Sequence, residues 1–124
     1  MMQVIGEKQA EISGKITSVT IRDAGSEVNL EANVGPFGMV FGTVTFEPAV
    51  DAAGETGAVV VRGLALRPDG ASVPFSGGGT WRKTEKHRLE IKHISLDAEG
   101  QRIFVVDEFD LATRTNTGTV YALD

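Results

Sequence analysis

The chain contains no cysteine, which excludes disulfides, thiolate zinc sites and thiol catalysis. The opening MMQVIGEKQAE has neither a basic n-region nor an apolar h-region, and together with the missing cysteines it sets the expectation of a cytoplasmic protein. No apolar stretch approaches the ~20 residues of a membrane helix. Clustered cations are missing as well. No Lys/Arg run exceeds the pair Arg82-Lys83, and the net charge is −5. A phosphate backbone needs a basic footprint, so a nucleic-acid partner is not expected. Motifs with a fixed mechanism are absent: no GxxxxGKS/T loop, no HExxH and no GxSxG elbow. Apolar residues nowhere recur at helical spacing for the length a helix requires.

What remains is extended chain and turns. At 124 residues with 41% hydrophobic and 23% charged residues, residues 1–124 read as one globular domain with a single core. The clearest segment alternates Val28, Leu30, Ala32 and Val34 with Glu27, Asn29, Glu31 and Asn33, one face dry and one wet. Before it, Ile12, Gly14 and Ile16 change phase to Val19 and Ile21, the trace a β-bulge leaves. MVFGTVTFE (39–47) is a further run. The central hairpin, 57–82, turns at Pro68-Asp69-Gly70, where proline presets φ, Asp bonds its own backbone and Gly accepts positive φ. A charged turn is expected at 83–86, then runs over 87–96, 102–111 and 113–123, separated by Asp97-Ala98-Glu99-Gly100.

About eight short strands with turn signals every ~8–12 residues predict an all-β fold, a barrel or a sandwich. Gly-Thr followed by a large apolar residue recurs at Gly42, Gly79 and Gly118. Glycine permits sharp strand coiling, which suits a closed barrel. A single antiparallel, mostly up-and-down barrel is therefore expected, with a β-sandwich as the alternative. Ser76-Gly77-Gly78-Gly79 resembles a phosphate loop, but strand-like Thr80-Trp81-Arg82 follows where a helix should open.

Polar residues that interrupt apolar rows are the candidates for chemistry. Arg62 shares a face with Ala58, Val60, Leu64 and Leu66, and His93 shares one with Leu89 and Ile91. On the next strand Asp107 lies with Ile103, Val105 and Phe109, whereas Glu108 lies with Phe104 and Val106. Facing a barrel interior, His93 with Asp107 or Glu108 would form a general acid/base pair, and Arg62 would hold an anionic or carbonyl group. The plainer alternative, strand ends in solvent or a structural ion pair, stays open because one sequence does not set strand register. His87 and His93 would stand roughly 20 Å apart on a straight strand, too far to share an ion, so no metal is expected. No cofactor is implied. Phe46, Phe75, Trp81 and Phe104 stand in apolar rows that would line an interior, although a lone Trp is more often core.

The row Val59, Val61, Gly63 and Ala65 is also apolar and lies opposite the Arg62 row. A barrel wall needs one dry face, and a second is covered by a loop, a terminal segment or another subunit. A homo-oligomer, dimer or trimer, is expected on that ground.

Phe41 to Glu47 (FGTVTFE), Gly79 to Arg82 with His87-Arg88, and the closing DEFDLATR…TGTVY resemble small uncharacterised bacterial proteins with allene oxide cyclase-like or calycin-like barrels. The likeness is one of rhythm over most of the chain. It implies an eight-stranded antiparallel barrel and a dimer or trimer, and no reaction. Three functions follow as expectations: a barrel binding a small, largely apolar molecule in its interior or mouth, an isomerase or cyclase using the His/carboxylate pair, or a structural oligomerisation module with a filled barrel.

Overall fold

The computed structural model describes residues 5–123; residues 1–4, part of the stretch read for a leader, and residue 124 lie outside them. Eight strands follow one another: β1 (Ile5–Arg22), β2 (Gly25–Asn33), β3 (Met39–Phe46), β4 (Thr56–Leu66), β5 (Ser72–Glu85), β6 (Arg88–Asp97), β7 (Arg102–Asp110) and β8 (Thr115–Leu123). Each pairs antiparallel with its sequence neighbours, and β8 returns to β1, closing an up-and-down barrel. Closure leaves no open sheet edge. No helix among the described residues is long and apolar enough to cross a membrane.

Local chemistry accounts for the register. In β2 the dry face of Val28, Leu30 and Ala32 is buried. The β1–β2 pairing slips between Ile16 and Ser18, where the sequence changes phase. The β4–β5 turn closes by Gly70 N–H donating to Arg67 O at 3.0 Å and Ala71 N–H donating to Asp69 Oδ1 at 2.9 Å. Gly70 sits at φ +90°, as the Asp-Gly pair demands. Between β2 and β3 a short 3₁₀ turn, Gly35–Phe37, ends on Gly38 at φ +85°, where a β-carbon would stand 2.2 Å from Leu66 O.

Two expectations move. The charged segment over 83–86 is not the turn: β5 continues through Glu85, and the reversal is made by Lys86 and His87, the latter at φ +65°. Lys83 N–H donates to Glu55 O at 2.8 Å, so the connection between β3 and β4 pairs with this segment and keeps it extended. The two rows of β4 also take definite sides. Val59, Val61 and Ala65 are buried, whereas Val60, Leu64 and Leu66 are exposed with Arg62 between them. The row with Arg62 is the outer wall.

The interior is asymmetric along the barrel axis. At the end holding the β1–β2, β3–β4, β5–β6 and β7–β8 connections, Phe46 packs edge-on against Trp81 (centroids 6.3 Å) and Phe109 (5.9 Å). Phe109 and Ile91 are fully buried there, and burial of each such side chain stabilises the fold by about 2 kcal/mol. Towards the other end the inward residues shrink to Ala32, Gly42, Gly63, Ala65 and Ser95. An eight-stranded barrel is just wide enough for side chains to fill, so small side chains there leave the interior open.

Candidate functional site

The open half holds a cavity of about 100 Å³, reached from the end of the barrel that carries the β2–β3, β4–β5 and β6–β7 connections. Its walls are apolar: Ile12, Leu30, Val44, Val61, Val105 and Val120 surround it, with Phe37, Val73 and Phe75 nearer the mouth. Gly42 contributes to the space directly, since a β-carbon there would make only ordinary contacts, with the Leu30 side chain at 3.5 Å and Arg62 O at 3.9 Å. Arg67, Asp97 and Gln101 rim the mouth. Arg67 bridges to Glu99 with both guanidinium nitrogens, one at 3.0 Å, and lies 3.6 Å from Asp69. That pair ties the β4–β5 turn to the β6–β7 turn.

One part of the wall is polar. His93 and Ser95 point inward from β6, Asp107 from β7 and Asn116 from β8, and all four are buried. His93 pairs with Val105 and Asp107 with Gly118, so His93, Asp107 and Asn116 step diagonally across three strands, as inward residues two apart do in a tilted barrel. The His93 Nδ1 and Ser95 Oγ hydrogen-bond at 2.8 Å, and Asn116 Nδ2 donates to Asp107 Oδ2 at 3.1 Å. No hydrogen bond or ion pair joins His93 to Asp107 among the described residues. Asp107 Oδ1 and Asn116 Oδ1 are buried without a partner.

Charge is avoided here by neutralisation rather than pairing. Desolvation lowers the His93 imidazole to about 4. It raises the Asp107 carboxyl to about 7, against the opposing pull of the Asn116 hydrogen bond and the Glu108 backbone N–H. Between those values both side chains are uncharged, which is how a low-dielectric site holds such groups.

The sequence candidates divide. His93, Asp107 and Phe75 come together at the cavity. Phe46 and Trp81 also point inward but plug the closed end, and the Trp81 Nε1–H donates to Glu47 O at 3.0 Å. Phe104 lies outside, tilted over Tyr121 with centroids 6.3 Å apart. Glu108 is outside too, paired with Arg88 at 2.9 Å, and the side chain of Arg62 stands on the outer wall. Asp107 rather than Glu108 is therefore the acid that shares the interior with His93. Ser95 and Asn116 were not singled out from sequence. Ser95 continues the His93 row two residues on, and Asn116 opens a row with Gly118 and Val120, so even spacing from an inward neighbour was the available signal. No group of three or more His, Asp or Glu among the described residues is placed to hold a metal ion.

No protein-family model, no curated protein and no solved structure matches the chain.

Proposed function

We propose that the barrel binds a small, largely apolar molecule in its open half, with the polar stripe as the anchor for one end of it. The supporting observation is the pairing of an apolar-walled cavity with buried polar atoms at one side of its wall, the usual make-up of a small-molecule site. At about 100 Å³ the enclosed part is somewhat smaller than the ~150 Å³ engineered cavity that takes benzene, and the mouth adds room for the rest of a ligand. The architecture is the one the calycin-like resemblance implies; kinship with allene oxide cyclases belongs to this reading as an analogy of fold alone. Native mass spectrometry of the purified protein tests it. A retained small-molecule mass, lost when Ala65→Phe fills the mouth, supports the reading. No retained mass, and no binding of any added apolar compound, removes it.

A second reading has its own observation. The Asp107 carboxyl is buried in the cavity wall, and desolvation there raises it toward the range that proton transfer at neutral pH requires. An isomerase or cyclase would use Asp107 as acid and base, with neutral His93 on the neighbouring strand. Turnover of a retained ligand that stops in Asp107→Asn supports this reading over simple binding.

We also propose that a second copy of the chain covers part of the outer wall. Met39, Phe41, Val60, Leu64, Leu66, Ile94 and Leu96 are all exposed. Cross-strand pairing joins them into one patch across β3 to β6, over the small outer residues Pro74, Ser76 and Gly78 of β5. Arg62 stands among them on the same outer row, and an exposed apolar cluster bordered by polar residues marks a protein contact. The dry face that calls for a partner is thus the outer row of β4.

A further inference from the structure

We infer that the ligand of the open half carries a carbonyl group on an apolar body, its oxygen accepting a hydrogen bond from the Nε2–H of His93. The inference rests on the binding reading above and deepens it.

Ser95 decides which nitrogen of His93 carries the proton. His93 Nδ1 and Ser95 Oγ lie 2.8 Å apart, and Ser95 is 1% exposed. The serine hydroxyl has no other hydrogen-bond partner among the described residues. Were Nδ1 to carry the proton and donate to Oγ, the serine hydrogen would be buried with no acceptor, at the full cost of an unmade bond. With the serine donating to Nδ1, its hydrogen is satisfied and the ring proton falls on Nε2. Burial holds the ring neutral, lowering it to about 4, so it carries that one proton at neutral pH. Gly77, paired with Ser95 across β5 and β6, leaves room for the hydroxyl. A β-carbon there would stand 2.5 Å from Ser95 Oγ.

Nε2 is the nitrogen that the cavity meets. His93 lines the cavity and keeps 9% of its surface. Nδ1 is covered by Ser95, and Nε2 has no partner among the described residues. Asp107 Oδ1 and Asn116 Oδ1 are enclosed in the wall without a partner, whereas Nε2 is not among such enclosed atoms. The residual surface of an inward side chain opens on the interior.

A donor facing an apolar cavity selects an acceptor with no hydrogen of its own. A ketone or aldehyde oxygen accepts from Nε2–H and needs nothing further. An alcohol can accept the same bond, but its own hydrogen then meets apolar wall, because the enclosed Asp107 and Asn116 oxygens do not take it. A hydrocarbon leaves the Nε2–H unpaired. A carboxylate would bring a charge to a neutral ring in a low-dielectric site. Sites built around one such hydrogen bond discriminate against analogues that cannot complete it.

Cyclohexanone, cyclohexanol and methylenecyclohexane, matched in size, are the probes, titrated into the whole protein with binding read from the methyl NMR signals of Val61 and Val105. Imidazole nitrogen shifts of the unliganded protein should show His93 protonated at Nε2, and Ser95→Ala should abolish that preference. The ketone should bind at least about fivefold more tightly than the alcohol. His93→Leu should lower the ketone's affinity relative to the hydrocarbon's by about the same factor, a comparison in which the probes' different hydration cancels. If that variant does not fold, Ser95→Ala, which keeps the ring and frees its tautomer, should move the ratio in the same direction. A wild-type proton on Nδ1, an alcohol bound as tightly as the ketone, or a ratio unchanged in the variants overturns the inference and leaves an apolar site without this anchor. Failure of all three probes to shift the interior methyl signals overturns the binding reading itself.

Discussion

The ring of Phe75 lies over Gly63, its Cζ 2.3 Å from where a β-carbon on that glycine would stand. The two residues are directly paired on β4 and β5. Trp81 covers Gly57 in the same way at the closed end, its Nε1 at 2.5 Å from the corresponding position. An inward glycine beneath an aromatic ring recurs as a device that shapes the interior at both ends. At the mouth it sets where Phe75 sits beside the cavity.

Gly63→Ala should therefore displace the Phe75 ring. The Phe41 carbonyl oxygen is only 2.6 Å from the same position, so the ring alone cannot relieve the crowding. Overpacking of this kind costs about 1–3 kcal/mol. Denaturant unfolding should show that loss, and ligand affinity should fall as the ring narrows the mouth.

The glycine triplet in β5 makes a sharper contrast. A β-carbon on Gly79 would stand 1.9 Å from Lys92 O, whereas one on Gly78 would meet Val59 O at 3.3 Å. Gly79→Ala is expected to destabilise the barrel by roughly 3 kcal/mol or more, and Gly78→Ala by about 1 kcal/mol or less. Thermal unfolding of the two variants side by side measures the difference.

The polar stripe makes stability depend on pH in two opposing ways. His93 has its folded value lowered from 6.5 to about 4. Between those values the unfolded chain binds a proton that the fold does not, and stability rises with pH. Asp107 has its folded value raised from 3.8 to about 7. Over that interval the fold keeps a proton the unfolded chain has lost, and stability falls as pH rises, by on the order of a few kcal/mol in all. Asp107→Asn should leave only the rising limb from pH 4 to 6.5, and His93→Gln only the falling limb from pH 4 to 7. Arg67 and Asp97 at the mouth, and the lowered carboxyls of Asp51 and Asp110, are common to every variant. Calorimetric unfolding across this range reads the slopes; identical profiles in both variants would refute the assignment.

Self-association through the outer wall is tested by charge. Ile94→Lys with Leu64→Lys places cations in the middle of the patch without touching the interior. Sedimentation velocity should show a wild-type oligomer that becomes a monomer in the double variant. A wild-type monomer from micromolar to millimolar concentration would remove the second copy.

The barrel was legible in sequence because its devices are local. The alternation from Glu27 to Val34, the phase slip near Ile16 and the Pro68-Asp69-Gly70 turn each act over a few residues and need no knowledge of partners. Sidedness was not. β4 reads as apolar on both faces, and a period of two says which residues share a side without saying which side is inner. Arg62 and Phe104 share rows with apolar residues that could line an interior, and both stand outside. The ambiguity between Asp107 and Glu108 had the same origin, and pairing with β6 and β8 resolves it. Asn116 was invisible for another reason: its meaning comes from Asp107, nine residues away across a strand pair.

The central claim, that the open half of the barrel receives a small molecule, is tested most directly by a methyl NMR titration with cyclohexanone on the wild type and on Ala65→Phe. The account predicts saturable shifts confined to interior methyls such as those of Val44, Val61 and Val105 in the wild type, and their loss in a variant that remains folded. Shifts confined to outer-wall residues such as Ile94 and Leu96, or equal interior shifts with the mouth filled, would contradict it.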